Sequence, residues 1–156
     1  MIYVGIDPGL SGAVAVLHPT YDDISVFDTP TVKTARRNEF DLRAMREILK
    51  QYNSPETMVI VEAVHSMPRQ GVASSFNFGA GYGMWLGLLV GLEIPYVTVT
   101  PQRWKSAMHI PAGSAKGESY LRACSLFPAA TGLLAKTKDG RADALLLAAY
   151  GRQANL

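Results

Sequence analysis

Three short apolar or β-branched runs, Ile2 to Asp7, Gly12 to Leu17 and Ile24 to Phe27, are separated by Pro8-Gly9 and by Thr20-Tyr21-Asp22-Asp23. Turn-forming residues between runs of strand length predict an antiparallel meander of three strands. From Phe40 to Tyr52 the period changes. Phe40, Met45, Ile48, Leu49 and Tyr52 fall near helical spacing with charged residues between them, which predicts an amphipathic helix. Met58 to Val61 is a continuous apolar run of strand length, His65 to Ala73 with its Pro68 and Gly71 reads as a loop, and a second helix is predicted from Ser74 to Gly91. Tyr96 to Thr100 is a further strand. Pro101-Gln102-Arg103-Trp104-Lys105 then turns into a short helix, with proline where its missing N–H is harmless. Ser114 to Phe127 predicts a helix capped by Ser114 and stopped by Pro128, and Asp139 or Gly140 to Gln153 a last helix with an acid at its positive end. Strands first, then strand and helix in alternation, predict an α/β domain in which helices cover a mixed sheet.

The second helix carries Gly79, Gly83, Gly87 and Gly91 at every fourth position, on one helical face. Each glycine costs about 1 kcal/mol relative to alanine, so close approach of another backbone is expected to compensate. The domain's own sheet is the favoured neighbour, with a second subunit or nucleic acid as the alternatives.

Composition narrows the class. At 156 residues, 48% hydrophobic and 18% charged, the chain reads as one ordinary globular domain over residues 1–156, large enough for a core without staples. Cys124 is the only cysteine, which excludes an intramolecular disulfide and a thiolate zinc cluster and fits a reducing compartment. The first strand follows directly on Met1 without a basic leader, and the longest apolar stretch, Met84 to Leu92, is too short to span a bilayer. These features predict a cytoplasmic protein with no membrane partner. The net charge of +2 says little about nucleic acid. Its distribution says more: basic residues gather from Lys33 to Lys50, at Arg69, Arg103, Lys105 and Lys116, and again at Lys136, Lys138 and Arg141. They either converge on a phosphate backbone or form solvated surface.

The candidate chemistry lies in acids placed against apolar elements. Asp7 closes the first strand, Glu62 follows Met58 to Val61, and Asp143 sits between Ala142 and Ala144. A carboxylate beside a core is costly unless cations or hydrogen bonds compensate for its lost hydration, and acids so placed can share metal.

Four motifs, in order, resemble the RuvC-type Holliday-junction resolvases: Gly5-Ile6-Asp7-Pro8-Gly9, Val59-Ile60-Val61-Glu62, Thr100-Pro101-Gln102-Arg103-Trp104-Lys105, and the helix from Asp139-Gly140-Arg141-Ala142-Asp143 to Ala148. The resemblance covers nearly the whole chain, and the small size suits a bacterial or phage member. It implies a ribonuclease-H-like fold, with three antiparallel and two parallel strands in one five-stranded sheet flanked by helices. It further implies a homodimer that resolves four-way DNA junctions by paired symmetric nicks, using two Mg²⁺ or Mn²⁺ ions per site. Oxygen ligands suit such hard cations, and an ion pair about 3.5–4 Å apart can activate water and stabilise a leaving alkoxide.

On the resemblance, Asp7 would bridge both ions, Glu62 would hold one, and Asp143 with Asp139 the other, leaving 5′-phosphate and 3′-hydroxyl ends. Relatives usually space the last two acids three apart. Here Gly140 occupies that place, so Asp139, four before Asp143, is either a ligand or a plain N-cap. Lys105 would offset charge at the scissile phosphate, and His65 stands where cellular relatives carry a junction-stacking aromatic. Arg69, Gln70, Ser74, Lys116 and Lys138 are the candidates for DNA contact. The runner-up is a RuvC-like nuclease acting on other branched DNA or on RNA. Sugar kinases and actin-like ATPases share the first motif but need two lobes, for which the chain is too short. A junction binder without cleavage is opposed by the intact acids.

Overall fold

In the computed structural model, which describes residues 1–20, 23–63 and 71–156, the three N-terminal runs pair as expected. Strands β1 (Ile2–Asp7), β2 (Ala13–Leu17) and β3 (Ile24–Asp28) form the antiparallel meander. A two-stranded ribbon, β4 (Thr31–Lys33) with β5 (Asn38–Phe40), leads to helix α1 (Leu42–Gln51). Strand β6 (Thr57–Glu62) pairs parallel to β1 on its other side, and β7 (Tyr96–Val99) extends the sheet parallel to β6. The order β3-β2-β1-β6-β7 is the predicted mixed five-stranded sheet. Helices α2 (Val72–Gly91), α3 (Pro101–Ala107), α4 (Glu118–Leu126) and α5 (Asp139–Gln153) complete the chain, with a 3₁₀ turn over Pro128–Leu133.

Strand alternation separates two cores. Val4 and Ile6 of β1 and Val59 and Val61 of β6 pack under α1 and α2, whereas Tyr3 and Ile60 face α5 with Trp104, Ala123 and Leu145. Helix α5 is buried almost all round: Leu145, Leu146 and Leu147 are fully enclosed, each contributing about 2 kcal/mol. Gly5 makes this possible. A Cβ there would collide with the Ala144 carbonyl and approach the Ala148 nitrogen at 2.6 Å, so the helix lies directly on the strand.

Several boundaries differ from the sequence reading, for local reasons. Phe40 belongs to β5, and α1 starts after Asp41, whose carboxylate accepts from the N–H groups of Arg43 and Ala44 at 3.1 and 3.0 Å. Ser114 does not cap a helix. Its hydroxyl donates to the Pro111 carbonyl at 2.6 Å in a turn, and α4 begins only after Gly117, at φ 94°. Asp139 is the first residue of α5, with Lys138 at the cap position, so the N-cap alternative for Asp139 does not hold.

The glycine stripe of α2 also departs from expectation. Among the described residues a Cβ at Gly79, Gly83, Gly87 or Gly91 would meet nothing within 4 Å, so this face is not packed on the domain's own sheet. Gly81, off the stripe, makes the close approach instead, against Phe40 and the Pro8 carbonyl. Among the described residues no helix is long and apolar enough to cross a membrane.

Candidate active site

The parallel register carries two acids to one edge. Ile6 is paired with Val61, so Asp7 and Glu62 follow side by side at the C-terminal ends of β1 and β6. Asp7 shares the parity of Tyr3 and Gly5, and Glu62 that of Ile60, so both belong to the sheet face covered by α5. Helix α5 delivers the third acid. Its sheet-facing line runs through Gly140, Ala144, Leu147 and Gly151, and Asp143 lies beside Gly140 and Ala144 on that line.

The helix start is pinned independently. Arg141 donates from Nε and Nη2 to the two Asp28 oxygens at 2.7 and 2.9 Å, and from Nη1 to the Leu133 carbonyl at 2.9 Å. This fork ties α5 to β3 and draws the Asp28 carboxyl below its ordinary range, chiefly by the Arg141 hydrogen bond.

Electrostatics shows that the three acids occupy one region. Asp7 is pushed up to about 7, first by burial and then by the charges of Glu62 and Asp143. Burial also raises Glu62, with Asp143 adding to the rise, while the indole of Trp104 and the Lys105 ammonium oppose it. Asp143 is raised by burial and by Asp139, against Ser119 and Lys105. Lys105 is thus the cation common to all three. Its Nζ lies 5.2 Å from the centre of the Trp104 ring. Trp104, wholly buried, donates its indole N–H to Glu62 Oε2 at 2.7 Å.

Two cavities meet here. One, of about 830 Å³, is lined by Lys105, Lys116, Ser119, Asp139 and Asp143 among others. The second, of about 520 Å³, is bounded by Asp7, Asp28, Lys116, Lys138, Asp139 and Asp143. Asp139, Asp143 and Lys116 form the shared wall.

Among the described residues no three His, Cys, Asp or Glu side chains are gathered tightly enough to grip one ion as they stand. The donor set nevertheless fits a hard divalent cation. Among the described residues Asp143 Oδ1 is buried with no hydrogen-bond partner, and the side chains of Asp7, Glu62 and Asp143 offer carboxylate oxygens. Gly140, three before Asp143, lies close against the β1–β2 corner: a Cβ at this position would stand 2.5 Å from the Ser11 carbonyl and 3.2 Å from Asp7 Oδ2. An acid there would require α5 to shift away from this corner, and Asp139, one turn before Asp143, lines both cavities.

The remaining candidates divide. Lys116 faces the cleft from both cavities, and Lys138 lines one while its Nζ lies 3.6 Å from Asp28. Ser74 is exposed on the first turn of α2 and lines neither cavity. His65, Arg69 and Gln70 lie outside the described residues. Sequence reasoning missed Trp104 and Ser119. The first was legible as the neighbour of Lys105 in its motif, but its bond to Glu62 spans 42 residues of chain and no spacing announces it.

No family model matches the chain. It is 34% identical over 91 residues to the chloroplastic Holliday junction resolvase MOC1 of Chlamydomonas reinhardtii, a stretch covering 58% of this chain and 10% of that protein. The chain thus spans about a tenth of the length of the curated relative it matches. A Thermus thermophilus RuvC structure in complex with Holliday junction substrate superposes with a TM-score of 0.65 at 16% identity, covering 99% of this chain and 96% of the other. A second Thermus thermophilus RuvC structure gives a TM-score of 0.61 at 16% identity, with 99% and 97% covered. Mixed sheet order, flanking helices and near-complete superposition together establish that this chain has the RuvC fold, the ribonuclease-H-like fold of Holliday junction resolvases.

Proposed function

We propose that the chain is a metal-dependent endonuclease that resolves four-way DNA junctions by paired symmetric nicks, acting as a single nuclease domain over residues 1–156 and as a cytoplasmic homodimer. This reading is supported by the placement of Asp7 and Glu62 side by side at the ends of β1 and β6, with Asp143 lining one cavity together with Asp7 and with burial and neighbouring charge raising all three carboxyls beside Lys105. Asp7, Glu62 and Asp143, joined by Asp139, would hold two Mg²⁺ or Mn²⁺ ions. Such ions supply an activated water and a counter-charge for the leaving alkoxide. The chain's own residues do the rest. Asp7, which burial and its acidic neighbours hold partly protonated near neutrality, would have to give up that proton to serve as a ligand. Trp104 fixes the Glu62 carboxylate, and Lys105 offsets the charge that builds on the phosphate. Lys116, on the wall between the cavities, suits a neighbouring phosphate.

The test uses the purified protein with Mg²⁺ or Mn²⁺ and a synthetic four-way junction. Symmetric nicks with 5′-phosphate ends are expected, and Asp143→Asn is expected to lower nicking by at least about 10³-fold while junction binding persists. Equal cutting of linear duplex and junction overturns the assignment.

A further inference from the structure

Among the described residues strands β4 and β5 pair only with each other, outside the five-stranded sheet. A lone two-stranded ribbon is marginal by itself, and this one is fastened at both ends. At its root the Asp41 N–H donates to the Pro30 carbonyl at 3.0 Å, and the Phe40 ring packs where Gly81 leaves room. At its tip the Thr34 hydroxyl donates to the Arg37 carbonyl at 2.8 Å and accepts from the Arg37 N–H at 3.2 Å.

The pairing assigns its two faces. Directly opposed residues share a face, so Thr31 with Phe40 and Lys33 with Asn38 lie on one side, and Val32 with Glu39 on the other. Thr31 and Asn38 are walls of the cavity that contains Asp7, Asp139 and Asp143. Lys33 therefore stands on the cleft side, beyond the cavity's rim, and the turn bearing Arg36 and Arg37 continues outward from it.

Charge singles out the same element. Residues 31–40 hold Lys33, Arg36 and Arg37 against Glu39, so the ribbon contains the whole net charge of +2 and the rest of the chain balances. Among the described residues the Lys33 and Arg36 side chains have no ion-pair or hydrogen-bond partner, and Arg37 meets only Glu39, at 3.4 Å and largely in solvent. Unpaired cations at the rim of an acid-lined cleft suit a polyanion whose reacting link lies at the acids and whose neighbouring phosphates lie outside them.

We propose that the β4–β5 ribbon is a phosphate clamp: Lys33, Arg36 and Arg37 grip the sugar-phosphate backbone of a DNA arm as it leaves the acid cleft. This rests on the nuclease reading above. The contact is with backbone, so its loss weakens binding to all sequences alike, and its presence contributes to the salt dependence of binding.

The test is anisotropy titration of a labelled four-way junction and a linear duplex in EDTA, from about 50 to 200 mM KCl. The variant Lys33→Ala/Arg36→Ala/Arg37→Ala is compared with wild type and with Arg43→Ala/Arg46→Ala/Lys50→Ala, an equal charge loss on exposed α1 positions. The ribbon variant is expected to lose about 10- to 100-fold in junction affinity at the lower salt, with the log–log salt slope shallower by about 2–3, while the α1 variant stays within about threefold of wild type. Arg36→Ala alone, which removes no contact of the fold, is expected to make the slope shallower by about 1, so the outcome does not depend on the triple variant folding.

A ribbon variant indistinguishable from wild type overturns the clamp and leaves the nuclease reading standing. Equal losses in both triple variants reduce the effect to bulk charge and also overturn it. Undiminished junction binding with lost binding to polyglutamate assigns the ribbon to an acidic protein and overturns it as well. A wild-type protein that binds no nucleic acid overturns clamp and nuclease reading together.

Discussion

Trp104 stands in two relations at once: its ring edge donates to Glu62 at 2.7 Å, and its face lies 5.2 Å from the Lys105 ammonium. A buried carboxylate with one fixed donor keeps one orientation, and one that loses it can turn away from its neighbours. Trp104→Phe separates these relations, since phenylalanine preserves an aromatic ring near Lys105 and removes the indole N–H, together with part of the ring system, from a buried position. Mn²⁺ affinity measured by calorimetry is expected to fall by about 10-fold and nicking by about 10- to 100-fold, with junction affinity in EDTA unchanged. Unaltered Mn²⁺ affinity in a folded variant would show that the hydrogen bond does not position Glu62. The role belongs to a positioning residue: Trp104 is wholly buried and reaches the chemistry only through its two neighbours.

At the scale of elements, what decides the site is how closely α5 can lie on the β1–β2 corner. Gly140 meets the Ser11 carbonyl and Gly12 Cα, which would stand 2.5 and 2.9 Å from an added Cβ, and both are backbone that cannot swing aside. Gly140→Ala is expected to cost about 1–3 kcal/mol in denaturant unfolding, because the helix must lift from the corner. Gly83→Ala meets nothing within 4 Å among the described residues and is expected to gain about 0.5–1 kcal/mol in the isolated chain through helix propensity.

These two glycines also mark what could be read from sequence. The strands and their turns were legible, since period-two and apolar runs report burial directly, and so were Asp7, Glu62 and Asp143, each abutting an apolar element. The Gly79-Gly83-Gly87-Gly91 stripe does not rest on the domain's own sheet, its favoured neighbour, whereas glycines under real compression, such as Gly5, Gly81 and Gly140, carry no pattern. Close approach is a tertiary property of two segments, and a period within one of them does not contain it. The β4–β5 ribbon escaped for a related reason: three-residue strands with exposed Val32 and Lys33 have no buried face to produce alternation.

For the whole molecule, gathering acids against a core sets stability against function, and pH exposes the conflict. The folded-state value of about 7 for Asp7 lies above its ordinary 3.8, so between these limits the folded chain binds more protons than the unfolded one. Stability in EDTA must then fall as pH rises from about 4 to 7, and Glu62 and Asp143, both raised mainly by burial, act in the same direction. Asp28 acts oppositely. Lowered by Arg141, it contributes stability above its unfolded value that is lost as pH falls through the folded one, and its side chain is 46% exposed, so its effect is the smaller. The metal-free protein is therefore expected to melt highest on the acid side of neutrality. Asp7→Asn removes a charge that costs on the order of 2–4 kcal/mol at pH above 7, and should raise the melting temperature there by roughly 5–10 °C while abolishing nicking. Mg²⁺ or Mn²⁺ should raise the wild-type melting temperature at the same pH and leave that of Asp7→Asn nearly unchanged, because a bound cation relieves the repulsion that the substitution removes. Melting curves with and without EDTA at acid and slightly alkaline pH check all of this together. A wild-type protein that gains stability steadily from pH 4 to 8 without metal would mean that the three carboxylates are not held out of water beside one another, and the proposed site would lose its physical basis.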